Sequence, residues 1–503
     1  MKEIFYNGTV VTLCGQTAEA IGVCDGRIVS VGTTDEVEKS LAGAVRTDLN
    51  GAALLPAFID AHGHFAATAE SLRETDGSCD IETLLTRLSE RTAVSPDGTW
   101  IKARDFDPAV SADNRYPDRA ELDRAAPHHP VVVQHPSRHM GVFNTAGLHA
   151  VGARTEDYPD GYAEETAYVR LCRKIPLPSP AEFLSAAEAA ERLYLSNGIA
   201  TVQEGMMTKE LLPLYKHLSH RQPKIDIVGY PAPDAFGAFK EAFGVSDGYR
   251  RGFRIGGVKV ILDGSPQAET AWLRAPYADG KNGTAAMTDA ELADAIGLAY
   301  GEGVQILAHC NGDAAAAQFI RVLDRFGRRF PANRPPVMIH AQLTGIDQLD
   351  DIKRLGIVPS FFVAHTYHWG DTHIRNLGYD RAAHISPAES ARKKGIAFTF
   401  HQDAPVIAPD MLETIWCART RRTGSGRILG ADQRVPAEDA VKAVTVHAAM
   451  QYGEANNKGA LGPNYAADMV ALSVNPLTAS PEAIKEASVL FTVKDGRTVY
   501  FAR

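Results

Sequence analysis

The sequence predicts an α/β fold. A TIM-like (β/α)8 barrel is nested within a small β-sandwich domain built from both termini, and an inserted subdomain follows the first barrel strand. Three observations predict this. Eight short β-rich runs recur between residues 54 and 400, most of them separated by amphipathic helical stretches. Near-continuous apolar strands alternating with helices mark a parallel sheet, and eight of them suggest a closed barrel. The two chain ends share a texture of strands and turns that the middle lacks. Finally, about 140 residues separate the first run from the second, far more than one crossover helix needs.

In chain order, residues 4–11, 20–23 and 27–31 read as strands, punctuated by Asn7-Gly8, Asp25-Gly26 and Asn50-Gly51. These dipeptides are turn signals, and residues 1–55 are assigned to the β domain. Barrel runs lie at 54–59, 199–203, 225–228, 257–262, 304–308, 336–339, 357–361 and 397–400, with helical segments at 185–195, 289–300, 314–325 and 387–394. The barrel takes 56–447. Within it, the segment from about 75 to 170 has its own strand signals at 99–104 and 131–135 and is the inserted subdomain. The β texture returns at 468–472, 489–493 and 498–501, so 448–503 complete the β domain.

Composition narrows the function classes. The 503 residues are 45% hydrophobic and 22% charged, which excludes disorder, collagen-like repeats and a coiled coil. Lys and Arg number 52 against 61 Asp and Glu, a net charge of −9 with no block of like charges. That argues against nucleic acid as a partner. No apolar run reaches membrane-spanning length and the first residues carry no signal-peptide core. The six cysteines form no CxxC pair, so neither a disulfide framework nor a thiolate zinc site is expected. Reduced thiols and a cytoplasmic location follow. The expected partner is a small-molecule substrate, with a homodimer as the assembly to test.

The strand ends carry the chemistry. Residues 56–64 read PAFIDAHGH. In extended chain, i and i+2 share a face, so His62 and His64 aim two imidazoles at one point. That point is the C-terminal end of a barrel strand, where barrel active sites lie. His309 closes the fifth run, His340 the sixth, and Asp403 follows the eighth. Imidazoles and a carboxylate ringed around one mouth suit zinc or another borderline divalent ion. In the fourth run Val258, Val260 and Leu262 alternate with Lys259, Ile261 and Asp263, which turns Lys259 inward. A charged lysine beside a cation is unfavourable. A neutral one can take up carbon dioxide as a carbamate able to bridge two metals; the alternative is an ion pair with Asp263 or Asp403.

Nearly the whole chain resembles the amidohydrolase superfamily, in the branch that includes N-substituted formamide deformylases. The resemblance rests on PAFIDAHGH at 56–64, GVKVILDGSPQ at 257–267, HCNGDAA at 309–315, IHAQL at 339–343 and HQDAPV at 401–406. Trp100-Ile101, the stretch from Arg138 to Asn144, and the return through Gly459–Pro463 and Ala467–Val470 also match. It implies a metal-dependent hydrolase barrel with one or two divalent ions, zinc first. His62 and His64 would hold one ion, His309 and His340 a second, and Asp403 would be ligand and proton shuttle. Lys259 occupies the place of a carboxylated lysine, with Glu204 as a substitute carboxylate ligand.

The implied activity is hydrolysis of a C–N bond in an amide, N-formyl or N-acyl substrate, with Asp403, His340 and His309 as the catalytic set. An aromatic stretch from Phe361 to Asp371 offers an apolar wall for an aromatic or acyl group. His365, Trp369, His139 and Trp272 are the candidate substrate contacts. Two other readings stand beside this one. A deaminase on the same barrel would want a glutamate soon after His309, where Cys310-Asn311-Gly312-Asp313 stands instead. A non-catalytic scaffold would lack the ligand set.

Overall fold

The structure is a computed structural model that describes residues 2–108, 111–136, 140–327 and 330–502, without the side chains of 165, 166 and 169. The chain forms two compact units, residues 1–66 with 190–503, and residues 67–189.

In the larger unit, Phe58–Ile59, Ile199–Met207, Asp226–Pro231 and Phe253–Ile255 pair in parallel as one sheet. Gly257–Ile261, Gln305–Cys310, Val337–His340, Val358–Phe361 and Thr399–Phe400 pair in parallel as a second. The chain passes from one sheet to the other through Gly256 and Gly257. A Cβ at Gly256 would lie 2.5 Å from the Tyr230 ring, and one at Gly257 2.1 Å from the Gln305 carbonyl oxygen. Only glycine permits so close an approach. At the other edges, His64 N–H donates to the Ala404 carbonyl at 2.9 Å and Asp403 N–H to the His62 carbonyl at 3.2 Å. Helices separate the strands. Asp289–Gly301, for example, starts from a capping box between Thr288 and Glu291.

The run read as one strand over 54–59 is in fact two. Ala53–Pro56 pairs antiparallel with Met469–Leu472, and only Phe58–Ile59 joins Ile199–Met207. Pro56 has no N–H to extend the first ladder, and Ala57 N–H donates to the Asp468 carbonyl before the chain turns to its new partner.

The termini build two further sheets. One holds Arg27–Gly32, Ala20–Cys24, Lys2–Tyr6 and Val45–Asp48; the other holds Thr9–Val10, Ala53–Pro56, Met469–Leu472, Val489–Lys494 and Arg497–Phe501. They share a core that includes Phe5, Ile21, Val23, Leu54, Met469 and Phe491.

A buried charge network joins these C-terminal residues to the parallel strands. Lys458 Nζ lies 2.6 Å from Asp226 and 2.9 Å from Glu454, while Lys494 Nζ lies 3.0 Å from Asp226 and 3.2 Å from Asp468. Burial alone would raise the Asp226 carboxyl, but the Lys458 and Lys494 ammonium groups hold it below its usual range. Removing one partner of a buried pair strands the other charge. Lys458→Met is therefore expected to destabilise the fold by about 3–5 kcal/mol in denaturant unfolding at pH 7. A depressed carboxylate stabilises above its unfolded pKa of about 3.9 and loses that contribution as pH falls through the folded value. The difference between variant and wild type should accordingly shrink in acid.

The smaller unit, 67–189, carries a five-stranded sheet in the order Tyr162–Glu164, Met140–Phe143, Val131–Gln134, Ile101–Arg104, Thr75–Asp76. Its limits lie outside the 75–170 read from the sequence, and Arg73 and Glu182 pair at 2.7 Å across its two ends. Among the described residues no helix is long and apolar enough to cross a membrane. All six cysteines are free.

Candidate metal centre

Four strand ends of the larger unit bring their side chains together. His62 Nε2 and His64 Nε2 lie 3.4 and 3.3 Å from Asp403 Oδ1, and His340 Nε2 lies 4.0 Å from Asp403 Oδ2. His309 Nδ1 lies 3.0 Å from His340 Nε2. Lys259 Nζ lies 3.2 Å from His62 Nε2, so both members of the Lys259 pairing expected with Asp263 or Asp403 give way to an imidazole. Asp263 is engaged elsewhere. It accepts backbone N–H groups of Asn311, Gly312 and Trp272 at 2.9, 2.7 and 3.0 Å and so holds the turn after His309. His340 and Asp403 both sit at positive φ, 69° and 54°, strained backbone of the kind that clusters at functional sites.

Hydrogen bonds behind the cluster orient the rings. His62 Nδ1 lies 2.5 Å from Gln203 Oε1, and Gln203 Nε2 donates to the Ala61 carbonyl and to Tyr452 Oη. With its amide so fixed, Gln203 accepts from His62 Nδ1–H, leaving a lone pair on Nε2. His309 Nε2 faces the Gly264 carbonyl and the Asn311 carboxamide nitrogen, each at 3.0 Å, and Asn311 Nδ2 also donates to the Gly264 carbonyl at 2.8 Å. An N–H on Nε2 toward the carbonyl leaves the lone pair on Nδ1. A second ring of partners that sets the tautomer is the usual support of a metal ligand.

Electrostatics agree with this. Burial, with the Lys259 charge second, pushes His62 well below the ordinary histidine range and His309 down to about 4. Burial and neighbouring imidazoles do the same to His340. Burial also lowers Lys259, to about 8, against the pull of Asp403. His64 moves the other way: burial opposes its charge, but the bond to Asp403 outweighs that and raises it. Burial would raise Asp403, yet His64 holds it below the usual carboxylate range.

His62 and His64 Nε2 converge on Asp403 Oδ1 and His340 Nε2 on Oδ2; His62 and His340 are held neutral, while His64 bonds the carboxylate. His62, His340 and Asp403 each offer a ligand atom, all within 4.8 Å of one another. Imidazole nitrogens and a carboxylate gathered this closely make the donor set of a borderline divalent cation.

The remaining candidates fall as follows. Glu204 Oε2 accepts from Ala66 N–H at 2.6 Å and from the Tyr215 hydroxyl. His365 is buried with its ring 4.5 Å from both Phe362 and Trp369, and Phe362 lies 5.3 Å from His401. An aromatic wall thus runs outward from the cluster. Only His365 of this wall lies in a helix, His365–His368; Phe362 precedes it and Trp369 joins it to Gly370–Leu377. Trp272 is half-buried. His139 lies outside the described residues.

Reading the sequence did not single out His401, Gln203 or Ser360 as site residues. His401 and Asp403 stand at i and i+2, the spacing that marked His62 and His64, and that signal was available. Gln203 and Ser360 carry no local signal.

The family model described as "Amidohydrolase family" matches residues 47–500. YtcJ of Bacillus subtilis (strain 168), named as an amidohydrolase, is 26% identical over 540 aligned residues, covering 99% of each chain. The N-substituted formamide deformylase of Arthrobacter pascens is 25% identical, over 95% of this chain and 94% of that one. The crystal structure of an uncharacterized metal-dependent hydrolase from Pyrococcus horikoshii OT3 superposes with a TM-score of 0.83 at 24% identity, over 96% of this chain and 99% of that one. That likeness establishes the TIM-barrel α/β fold.

Proposed function

This chain belongs to the amidohydrolase family and is a hydrolase, and on that footing we propose that it cleaves the C–N bond of a small amide, N-formyl or N-acyl substrate bearing an aromatic or other apolar group. We read the nine parallel strands as a closed (β/α)8 barrel, with Phe253–Ile255 and Gly257–Ile261 joined through Gly256 as one bent strand, and the two terminal sheets that share one core as a β-sandwich. Six free cysteines support a reducing, cytoplasmic compartment.

The observation that carries the reading is the convergence of His62, His64 and His340 Nε2 on Asp403. His62, His64 and Asp403 would hold one ion, and His309 Nδ1 and His340 Nε2 a second, with zinc the first choice for this donor set. Lys259, buried with Nζ 3.2 Å from His62 Nε2, would join as a carbamate; crystals grown with bicarbonate should then show added density on Nζ. A bound divalent ion supplies Lewis acidity and lowers the pKa of its water from 15.7 to about 7.

The chain's own residues do the rest. Asp403, ionised at neutral pH, accepts a proton from the attacking water and returns it to the departing nitrogen. Ile261 alternates onto the same face of its strand as Lys259, pairs in register with His309 and is 38% exposed. With Phe362, His365 and Trp369 it supports an apolar substrate group.

A panel of N-formyl, N-acyl and cyclic amides, assayed with zinc or manganese restored, tests this. Turnover is expected for N-substituted amides, aromatic above aliphatic. Trp369→Ala should raise KM about tenfold with kcat nearly held, the loss of about 1.4 kcal/mol of uniform binding. Release of ammonia from amino-heterocycles, with no amide turnover, would favour the deaminase reading instead.

A further inference from the structure

We propose that Ser360 is a positioning residue for metal binding: through His401 it decides which nitrogen of His340 carries the hydrogen. The proposal rests on the metal-centre reading above.

Three buried groups stand in line. Ser360 Oγ lies 2.8 Å from His401 Nδ1, and His401 Nε2 lies 3.1 Å from His340 Nδ1. At the far end His340 Nε2 faces His309 Nδ1 at 3.0 Å. Ser360 and His401 are fully buried and His340 nearly so, so solvent does not enter the chain of bonds. Each neutral imidazole has one N–H and one lone pair, and one choice therefore sets all the others.

Two polarities are available, because a hydroxyl both donates and accepts. If Ser360 donates to His401 Nδ1, then His401 Nε2–H donates to His340 Nδ1. The His340 hydrogen must then sit on Nε2, pointed at His309, and His340 has no lone pair to give. If Ser360 accepts from His401 Nδ1–H, then His401 Nε2 accepts from His340 Nδ1–H, and His340 Nε2 is free to ligate. Only the second polarity permits a metal on His340, and it needs an acceptor at Ser360. Among the described residues Ser360 is the partner His401 Nδ1 has. His62 and His309 rest on a fixed carboxamide and a backbone carbonyl. His340 depends, through His401, on a hydroxyl that can turn.

The test compares wild type, Ser360→Ala and Ser360→Thr. Zinc affinity is measured by chelator competition, and histidine tautomers by 15N NMR of the zinc-loaded wild type. The expected result is that Ser360→Ala weakens one class of bound zinc by about 10–100-fold, while Ser360→Thr, which keeps the hydroxyl, stays within about threefold of wild type. In the zinc-loaded wild type, His340 and His401 should both be protonated on Nδ1. Equal zinc affinity in Ser360→Ala and wild type overturns the proposal, and so does a hydrogen on His340 Nε2 in the loaded protein. The NMR measurement decides even if a variant fails to fold. A wild type that takes up no zinc fails at an earlier step and overturns the metal-centre reading with it.

Discussion

The Asp403→Asn variant is expected to lose about 10²–10⁴ of kcat, the range over which a positioned proton carrier contributes, while remaining folded. The physical case is specific. Asp403 lies within hydrogen-bonding range of His62 and His64 through Oδ1 and is held in its ionised form by His64. The carboxamide has nearly the same shape but accepts no proton. In wild type, kcat/KM should fall on the acid side as Asp403 protonates; in the variant that limb should vanish along with most of the rate. Asp403 is also a ligand in this reading, so metal per chain must be measured on the same sample. Loss of rate with metal retained assigns the proton transfer to Asp403. A rate near wild type would remove it from that role.

Metal removal is expected to have the second large effect. Chelation at pH 7 should lower activity by about 10³-fold or more, the several kcal/mol that a Lewis acid contributes to transition-state stabilisation. One to two equivalents of zinc per chain should restore it. The pH dependence of reloading has a definite sign. Burial keeps His62 and His340 far below the ordinary range and His309 at about 4, so these three are already neutral and bind without releasing protons, whereas His64, raised by Asp403, must give one up. Affinity should therefore change little between pH 6 and pH 7 on account of those three. Lys259, lowered to about 8, is different. As an ammonium it cannot take up carbon dioxide, and a carbamate there makes affinity rise with pH through about 8 and with added bicarbonate. An affinity flat through pH 8 and indifferent to bicarbonate would argue for a bare lysine. Full activity in a metal-free protein would sink the mechanism.

Much of the candidate site is legible in the sequence. His62 and His64 were found because strand alternation is a local rule that needs no partner. His309, His340 and Asp403 stand at strand ends that share one side of a barrel, a position their place in the sequence already implies. Lys259 followed from the alternation of its own strand, and it is indeed buried. The domain limit at 55/56 was legible, but the break inside the run was not. Residues 54–59 read as one apolar run, and only the pairing of Ala53–Pro56 with Met469–Leu472, more than 400 positions later, divides it.

By itself, then, the sequence determined the order of strands and the donors at their ends, because both depend on the period of the chain and on residue type. What each donor can do was decided by tertiary structure alone. Gln203 stands 141 positions from His62, and His401 stands 61 from His340 and 41 from Ser360. A histidine ligates through whichever nitrogen its neighbours leave free. Those neighbours come from other strands, so the protonation of the site exists only once the fold has brought them together.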